Sequence, residues 1–297
     1  MSVAVPRQYL KPADWAEAPC AVPDELKKNH RLWRVESPGG KSLFTGYFEP
    51  ELRGSLTRQG PFQHALYAPP ADLICMPNTA EVGGFGRMEN GKITPHFSRA
   101  EIENGALEGK NLELLYVDDP VDLFFLQVQG SGQIHLPDGG KRRVSFAAKN
   151  GQAYTSIGAV LKREEHLNPA TMGDIKNWLR AYPERRAEIL NRNASFIFFK
   201  FLEGPGPVGA SGEVLQPERS LAVDDTLWPY GLEVIVETRD PLENKPLVRL
   251  MRTADTGSAI RGVVRGDIFF GCGAEAGRRA GAMAHEGRLW IILPVSN

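Results

Sequence analysis

The sequence has little cysteine, no long apolar run and almost no net charge. Its three cysteines, Cys20, Cys75 and Cys272, lie far apart. An odd number in no metal-binding spacing argues against both a disulfide framework and a zinc site. No apolar stretch approaches the roughly 18 residues that a membrane-spanning helix needs. The formal net charge of −1 excludes the strong basic field with which proteins hold nucleic acid.

Several catalytic and cofactor motifs are absent as well. The six histidines show no HExxH-type spacing, no GxSxG serine-hydrolase motif occurs, and no phosphate-binding loop joins a strand to a helix. The glycine-rich stretch VGGFGRMENG, residues 82–91, is interpreted as a hairpin. We therefore expect no metal ion or other cofactor. The opening residues MSVAVPRQYLKPADW show no signal peptide.

Glycine and proline, in contrast, are abundant. The 297 residues include 31 glycines and 22 prolines, which favours a turn-rich, strand-rich fold. Short apolar runs between them predict strands near both ends of the chain. These runs are KSLFTGYF at residues 41–48 and, from Ser195 onward, SFIFFKFL, LEVIVET, LVRLMRT, DIFFG and RLWIIL.

Helical signals are confined to the middle of the chain. Ser98 and Glu101 form a capping box, a helix begins at Thr171, and Pro183 opens another. The pattern predicts a mostly β domain built from residues 1–77 and 196–297, with a second domain inserted at residues 78–195. A groove between two domains is a common ligand site.

The stretch DLFFLQVQGSGQIHL, residues 122–136, combines apolar and amide side chains. Interpreted as a strand, it places Gln127 and Gln129 together on the face opposite Leu126, and Ser131 follows after a glycine. Amides both donate and accept hydrogen bonds, so this face suits sugar hydroxyls and N-acetyl groups in the groove. A solvated face of an antiparallel strand explains the same alternation.

The stretch DTGSAIRGVVRGDIFFG, residues 255–271, places two aspartates in a glycine-rich turn beside an apolar strand. Asp255 lies at a strand end, where its side chain can bond to nearby backbone N–H groups. Asp224 and Asp225 also lie in a turn. Asp267 differs because three apolar residues follow it, and apolar surroundings would raise its pKa and let it act as an acid. A structural role and a chemical role both remain open for these aspartates.

Five motifs occur in the order found in one known family. They are GYFEPEL, LQVQGSGQI, KNGQAYTSIGAVL, NASFIFF and the tail that runs from SLAVD to LWIILP. Together they resemble the membrane-bound lytic murein transglycosylase A family, with its C-terminal domain named for three aspartates. The resemblance covers about residues 44 to 293. It implies a mainly β fold: a double-psi β-barrel, an inserted smaller β-rich domain, and a groove that takes a glycan strand of peptidoglycan.

The resemblance also implies roles for individual residues. Asp267 corresponds to the catalytic aspartate, while Asp255 and Asp224 correspond to the two that support it. Asp267 would protonate the glycosidic oxygen between N-acetylmuramic acid and N-acetylglucosamine. It would then act as a base while the C6 hydroxyl of the muramic acid closes a 1,6-anhydro ring. The candidates for glycan contact are Tyr47, Gln127, Gln129, Ser131 and Tyr154.

The family further implies a periplasmic location, associated with the outer membrane, and other cell-wall enzymes as candidate partners. The sequence departs from the family pattern in several places. Ser258 stands where relatives usually have a second glycine, and the loop from Asp255 to Asp267 looks one residue longer. About 43 residues precede the first motif, and no lipoprotein cysteine is visible.

Two other functions fit the same residues. A cell-wall module on the same barrel could bind glycan without turnover. A hydrolase that used Asp255 together with Asp267 would leave reducing ends instead of anhydro ends. The masses of the products from purified peptidoglycan distinguish these functions.

Overall fold

The computed structural model describes residues 5–75, 84–257 and 259–295. The fold is mainly β, and the chain forms two compact units. Unit 1 contains Met1–Phe48 and Val208–Asn297, and unit 2 contains Glu49–Pro207. The boundaries differ from those expected at residues 77/78 and 195/196, because strands on the outer side of each expected boundary pair within the sheet of unit 2.

Eighteen strands lie in the described part of the chain. The first nine are β1 (Leu10–Ala13), β2 (His30–Val35), β3 (Leu43–Glu49), β4 (Glu51–Ser55), β5 (His64–Tyr67), β6 (Ile74–Cys75), β7 (Phe85–Glu89), β8 (Lys92–Thr94) and β9 (Glu113–Val117). The others are β10 (Ser131–His135), β11 (Lys141–Lys149), β12 (Ile197–Leu202), β13 (Ser220–Val223), β14 (Glu233–Arg239), β15 (Pro246–Asp255), β16 (Arg265–Cys272), β17 (Ala284–His285) and β18 (Arg288–Pro294).

Seven α-helices accompany the strands in the same described residues. They are α1 (Asp24–Asn29), α2 (Arg99–Glu103), α3 (Pro120–Gln129), α4 (Ile157–Glu164), α5 (Met172–Ala181), α6 (Pro183–Asn191) and α7 (Gly273–Ala282). Among the helices that the structure describes, none has both the length and the apolar character needed to span a membrane.

Unit 1 is organised around a nine-stranded sheet in the order β1-β2-β18-β14-β15-β13-β16-β3-β17. Strand β14 is antiparallel to both of its neighbours, β15 and β18. Its central residues are apolar and buried, as expected for an inner strand. Leu32, Ile235 and Trp290 pack together in one of the buried clusters of this unit.

Unit 2 contains a six-stranded sheet in the order β12-β11-β10-β4-β9-β5 and a three-stranded sheet in the order β6-β7-β8. Helices α3 to α6 bury a common apolar cluster that includes Phe124, Leu161, Leu179 and Ile189. Within α3, α4 and α5 the members of this cluster recur at intervals of three or four residues, as Ile175 and Leu179 do, which is the pattern of one helix face.

Several local predictions are confirmed. Ser98 forms a capping box with Glu101 at the start of α2, and Thr171 caps α5. The predicted hairpin is present as β7 and β8, which pair antiparallel. Its turn contains Asn90 and Gly91, both with positive φ angles of 50° and 75°. Positive φ at both central residues is typical of the two-residue type I′ turn that connects the strands of a hairpin.

The prediction of a strand over residues 122–129 is wrong, because this segment is helix α3. Asp119 caps the helix by accepting hydrogen bonds from the backbone N–H groups of Val121 and Asp122 at 2.7 and 3.3 Å. Pro120 stands in the first turn, and Gly130 ends the helix with a φ of 80°. These are strong helix boundaries. Because the helix is buried on almost every side, its apolar residues do not mark one helix face, and they also fit the alternation of a strand.

Helix α7 was also not expected, since no helical periodicity is visible after Ser195. Its sequence is rich in glycine and alanine, and Ala276 and Ala280 are its buried residues. A side chain at Gly277 would approach the ring of Phe48 to 2.8 Å. Small residues here permit close packing of the helix on β3, and small residues give no amphipathic signal.

Gly46 in β3 provides the matching close contact. A Cβ atom at this position would lie 2.6 Å from the ring of Phe270 and 2.8 Å from the Cα of Ala280. We expect Gly46→Ala to destabilise the protein by about 1–3 kcal/mol, because a packed ring and a helix backbone must both move. Urea unfolding measures the change. Gly173→Ala in α5 is the control: its new methyl group would meet the Thr171 Oγ1 at 3.8 Å, an ordinary van der Waals contact, so the variant should unfold no earlier than the wild type.

Candidate active site

Strand β13 sets the geometry of the candidate site. It is parallel to β15 and antiparallel to β16, and Ala222 stands opposite both Asp255 and Asp267. Directly opposed residues project to the same face of a sheet, and neighbouring strands lie about 4.8 Å apart. The two aspartates therefore share one face, with the small methyl side chain of Ala222 between them.

A β-bulge in β15 brings Asp255 to this face. Leu221 is opposite Thr253, whereas the next residue, Ala222, is opposite Asp255, so Ala254 is an extra residue in the ladder. Without the extra residue, a side chain at the position of Asp255 would point to the other face of the sheet. The bulge therefore pairs the two carboxyl groups.

Asp267 is largely withdrawn from solvent, with 18% of its side chain exposed. Burial raises the pKa of Asp267, the Arg265 guanidinium lowers it, and the negative charge of Asp255 raises it further. The Arg265 contact is weak, since Nη1 lies 3.5 Å from Oδ1 of Asp267 and donates to the Gly266 carbonyl at 2.6 Å. The net upward shift was predicted from the sequence. A mostly buried carboxyl group with a raised pKa is suited to general acid catalysis.

Asp255 is held in one orientation. Its Oδ1 accepts hydrogen bonds from the backbone N–H groups of Ala210 and Thr256, both at 2.9 Å. Burial raises the pKa of Asp255, while these two hydrogen bonds and the Tyr47 hydroxyl beside it oppose the increase. A carboxylate with this support suits a fixed charge more than a moving acid.

Tyr47 lies in β3 and reaches the two carboxyl groups. Its ring packs on that of Phe269, with 5.2 Å between the centroids. The Tyr47 hydroxyl is buried beside the Asp255 carboxyl group, and its contact with that group is looser than an ordinary hydrogen bond. Burial and the charges of Asp255 and Asp267 raise the pKa of Tyr47 well above its usual value, so the hydroxyl stays neutral.

Asp224 follows β13 and has a structural role. Its Oδ1 accepts from the Thr226 hydroxyl at 2.7 Å and its Oδ2 accepts from the Gly262 N–H at 2.8 Å. Arg261 lies 3.2 Å from Asp224 and 2.9 Å from its neighbour Asp225. Asp224 thus fixes the loop that connects the two strands of the site. Gly262 has a φ of 132°, which other residues rarely adopt.

Ser258, the departure from the family pattern in this loop, lies outside the described residues. Hydrogen bonds hold both ends of this loop. Thr256 donates from its hydroxyl to the Val223 carbonyl at 2.8 Å, and the indole N–H of Trp228 donates to the Val263 carbonyl at 3.0 Å. Both ends are therefore bound to the segment around Asp224.

The other candidates for glycan contact belong to unit 2. Gln127 is buried in α3, and its Oε1 has no hydrogen-bond partner among the residues that the structure describes. Gln129 is partly exposed at the end of the same helix. Residues two positions apart lie on roughly opposite sides of a helix, at about 100° per residue, so the predicted shared face does not exist. Ser131 begins β10 and Tyr154 is exposed.

Sequence reasoning missed several residues of the site. Arg265 could have been found, because a residue two positions before Asp267 on a strand shares its face. Ala222 and the backbone of Ala210 gave no signal of their own. Tyr230 was missed too, and burial together with the negative charges of Asp225 and Asp255 raises its pKa to about 12.

A cavity of about 630 Å³ opens elsewhere in unit 1. Its lining includes Arg34, Lys41 and Trp290 and none of the aspartates described above. Arg34 is already paired with Glu36 at 2.8 Å. This cavity is therefore separate from the candidate active site.

Comparison with known proteins fits both units. Residues 43–200 match the MltA specific insert domain, and residues 219–293 match the 3D domain. Membrane-bound lytic murein transglycosylase A of Escherichia coli (strain K12) is 35% identical over 271 residues, which are 88% of this chain and 68% of that protein. The enzyme of Vibrio cholerae serotype O1 is 34% identical, over 85% of this chain and 66% of its own length.

The chain belongs to the membrane-bound lytic murein transglycosylase A family. Solved structures agree with this assignment. A membrane-bound lytic murein transglycosylase from Agrobacterium tumefaciens superimposes with a TM-score of 0.83 at 34% identity, covering 91% of this chain and 78% of that one. MltA of E. coli with bound chitohexaose gives a TM-score of 0.76 at 33% identity, covering 91% and 77%.

The two adjacent acids, Asp224 and Asp225, have different structural importance. We expect Asp224→Ala to cost about 1–3 kcal/mol of stability, because it leaves the partly buried Gly262 N–H and the Thr226 hydroxyl without their acceptor. It should also lower activity by loosening the loop. Asp225→Ala removes an ion pair with the half-exposed Arg261 and should change stability by less than about 1 kcal/mol. Urea unfolding and turnover of murein sacculi measure both variants. An equal loss in the two variants would contradict this distinction.

Proposed function

We propose that the protein is a lytic transglycosylase that cleaves the β-1,4 bond between N-acetylmuramic acid and N-acetylglucosamine in peptidoglycan and leaves 1,6-anhydromuramic acid ends. The observation that carries this proposal is the inequality of the two carboxyl groups. Asp267 is buried with a raised pKa and has one weak ionic contact. Asp255 is fixed by two backbone hydrogen bonds. This difference suits a mechanism in which Asp267 alone transfers the proton and Asp255 provides a fixed negative charge.

The first step breaks the glycosidic bond. Asp267 donates its proton to the glycosidic oxygen, and the bond between C1 of the muramic acid and that oxygen breaks. Positive charge develops on the muramic acid ring, and the nearby carboxylates stabilise it electrostatically. The raised pKa keeps Asp267 protonated at a pH where an ordinary aspartate would be ionised.

The second step restores the enzyme. The Asp267 carboxylate accepts the proton of the C6 hydroxyl while O6 bonds to C1, which closes the anhydro ring. No water is consumed, and the proton returns to Asp267. Because the sugar provides its own nucleophile, the site does not need the second free carboxyl group of an ordinary glycosidase.

We also assign unit 1 to the double-psi β-barrel fold. The placement of β13 between β15 and β16 supports the assignment, because those two strands follow one another in the chain yet are separated in the sheet. The resulting ψ-shaped connection holds Asp255 and Asp267 on either side of Ala222. The names of the relatives support a periplasmic location at the outer membrane.

The substrate is proposed to be a peptidoglycan glycan strand. The E. coli relative with bound chitohexaose supports a glycan substrate. Tyr47, Gln127, Gln129, Ser131 and Tyr154 remain candidates for glycan contact. The buried positions of the Tyr47 hydroxyl and the Gln127 amide oxygen make Ser131 and Tyr154 the better first targets for mutation.

Mass spectrometry of the products from purified peptidoglycan tests the function directly. We expect muropeptides that are one water molecule lighter than the products of hydrolysis. Reducing ends of full mass would favour a hydrolase that uses Asp255 with Asp267. Binding without any release would favour the glycan-binding module.

Asp267→Asn tests the catalytic assignment. Asparagine has a similar shape but neither gives nor accepts the proton, so turnover should fall by at least about 10²–10⁴-fold. Binding of a chito-oligosaccharide should remain close to that of the wild type. The control, Asp225→Asn, makes the same chemical change at a more exposed carboxyl group and should retain activity. Normal release of anhydro-muropeptides by Asp267→Asn would refute the assignment.

The pKa of Asp267 also predicts how stability depends on pH. Its pKa in the folded state lies above the unfolded value of about 3.9, so ionisation of Asp267 favours the unfolded chain. This contribution to stability is complete below about pH 4 and is lost as pH rises through the folded-state pKa. Asp267→Asn does not ionise. Urea unfolding from pH 4 to pH 7 should therefore show the variant gaining stability relative to wild type, and a constant difference would contradict the raised pKa.

A further inference from the structure

The Tyr47 hydroxyl is an unusual group in this site. It is buried beside the Asp255 carboxyl group, and its contact with that group is looser than an ordinary hydrogen bond. Buried polar atoms almost always have a partner, because an unpaired one loses its hydration without compensation. The Asp255 carboxyl group is therefore the acceptor to which we expect the Tyr47 hydroxyl to donate.

The ring of Tyr47 cannot easily move away from the site. It packs against the buried cluster of Leu215, Ala254 and Phe269. Ala254 is the bulge residue of β15, and Phe269 lies two positions after Asp267 on β16. The cluster that fixes the ring is therefore built from the same two strands that carry the aspartates.

The two oxygen atoms of the Asp255 carboxyl group accept different numbers of hydrogen bonds. The N–H groups of Ala210 and Thr256 both donate to Oδ1 of Asp255, which leaves Oδ2 for a further donor. The interaction of Tyr47 with Asp255 favours the ionised form of that carboxyl group, and the charge of Asp255 in turn favours the protonated form of Asp267. The two carboxyl groups therefore titrate as a coupled pair.

We propose, on the basis of the function proposed above, that Tyr47 is a positioning residue that decides which carboxyl group of the pair holds the shared proton. By donating to Asp255 it stabilises the charge there, so that the proton resides on Asp267, where it can reach the glycosidic oxygen. The hydroxyl acts through Asp255 and not on the glycan.

Few other groups can determine the position of this proton. Arg265 faces Asp267 and favours its ionised form, against the proposed distribution. Tyr230 lies near Asp255 and has a pKa of about 12, so it is neutral at the pH of any assay. The Tyr230 hydroxyl interacts with Thr256 instead of donating to Asp255.

Tyr47→Phe tests the proposal by kinetics. The variant keeps the ring and removes the donor, so kcat should fall roughly 10-fold, the size of one hydrogen bond to a charged group. KM should stay within about 2-fold, because the glycan contacts are unchanged. A higher KM with unchanged kcat would make Tyr47 a glycan contact and overturn the proposal, as would unchanged kinetics. Tyr67→Phe, at a half-buried tyrosine of unit 2, is the matched control and should behave as wild type.

A double-mutant cycle with Asp255→Asn provides the decisive comparison. If Tyr47 acts through Asp255, Tyr47→Phe should cause little further loss in the Asp255→Asn background. An undiminished 10-fold loss there would overturn the proposal.

Carbon-13 NMR of carboxyl-labelled aspartate gives a result that does not depend on turnover. In the wild type Asp255 should lose its proton first, and in Tyr47→Phe the first step should divide between the two carboxyl groups. An identical order of titration in both proteins would contradict the inference. If the wild type releases no anhydro products, the proposed function fails, but the titration still measures the role of Tyr47.

Discussion

The site depends on a single register: Ala222 stands opposite Asp255 on one side and Asp267 on the other. Backbone hydrogen bonds of three strands maintain this arrangement, so no flexible side chain has to bring the acids together. The bulge at Ala254 is essential to it, because a ladder without the extra residue would turn Asp255 to the opposite face. A small side chain at residue 222 leaves the space between the carboxyl groups open.

The same arrangement has an electrostatic consequence. Burial disfavours the ionised form of both carboxyl groups, and the charge of Asp255 further disfavours ionisation of Asp267. The protein supports Asp255 with backbone N–H groups, whereas Asp267 has a guanidinium nitrogen at 3.5 Å. In the proposed mechanism, environments that differ in this way turn two identical side chains into a fixed charge and a transferable proton. Asp224 fixes the loop that joins the two strands.

The sequence predicted some levels of this structure better than others. Helix caps, hairpin turns and short apolar strands are encoded locally in the sequence. The predicted caps at Ser98 and Thr171 and the predicted hairpin with its turn at Asn90 were therefore confirmed. Asp255 and Asp267 could be selected as candidates because each lies at a turn or strand boundary. Their common face could not be predicted, since it depends on a one-residue bulge and on the pairing of β13 with strands more than thirty residues away in sequence. Helix α3 was missed because it is buried on most sides and so shows no single apolar face. Its apolar and amide residues therefore also fit the alternation of a strand, although Asp119 and Pro120 mark the beginning of the helix.

Helix α7 was missed for the opposite reason, since its packing depends on the absence of side chains. Gly46 and Gly277 allow strand β3 and the helix to approach closely, and this contact fixes the strand that carries Tyr47. The close packing and the chemistry are thereby connected: β3 must lie near β16 for the Tyr47 ring to rest on Phe269, and the ring must rest there for the hydroxyl to reach Asp255. Gly46 contacts none of the acids, yet under the proposed role of Tyr47 its packing helps to decide where the proton of the site resides.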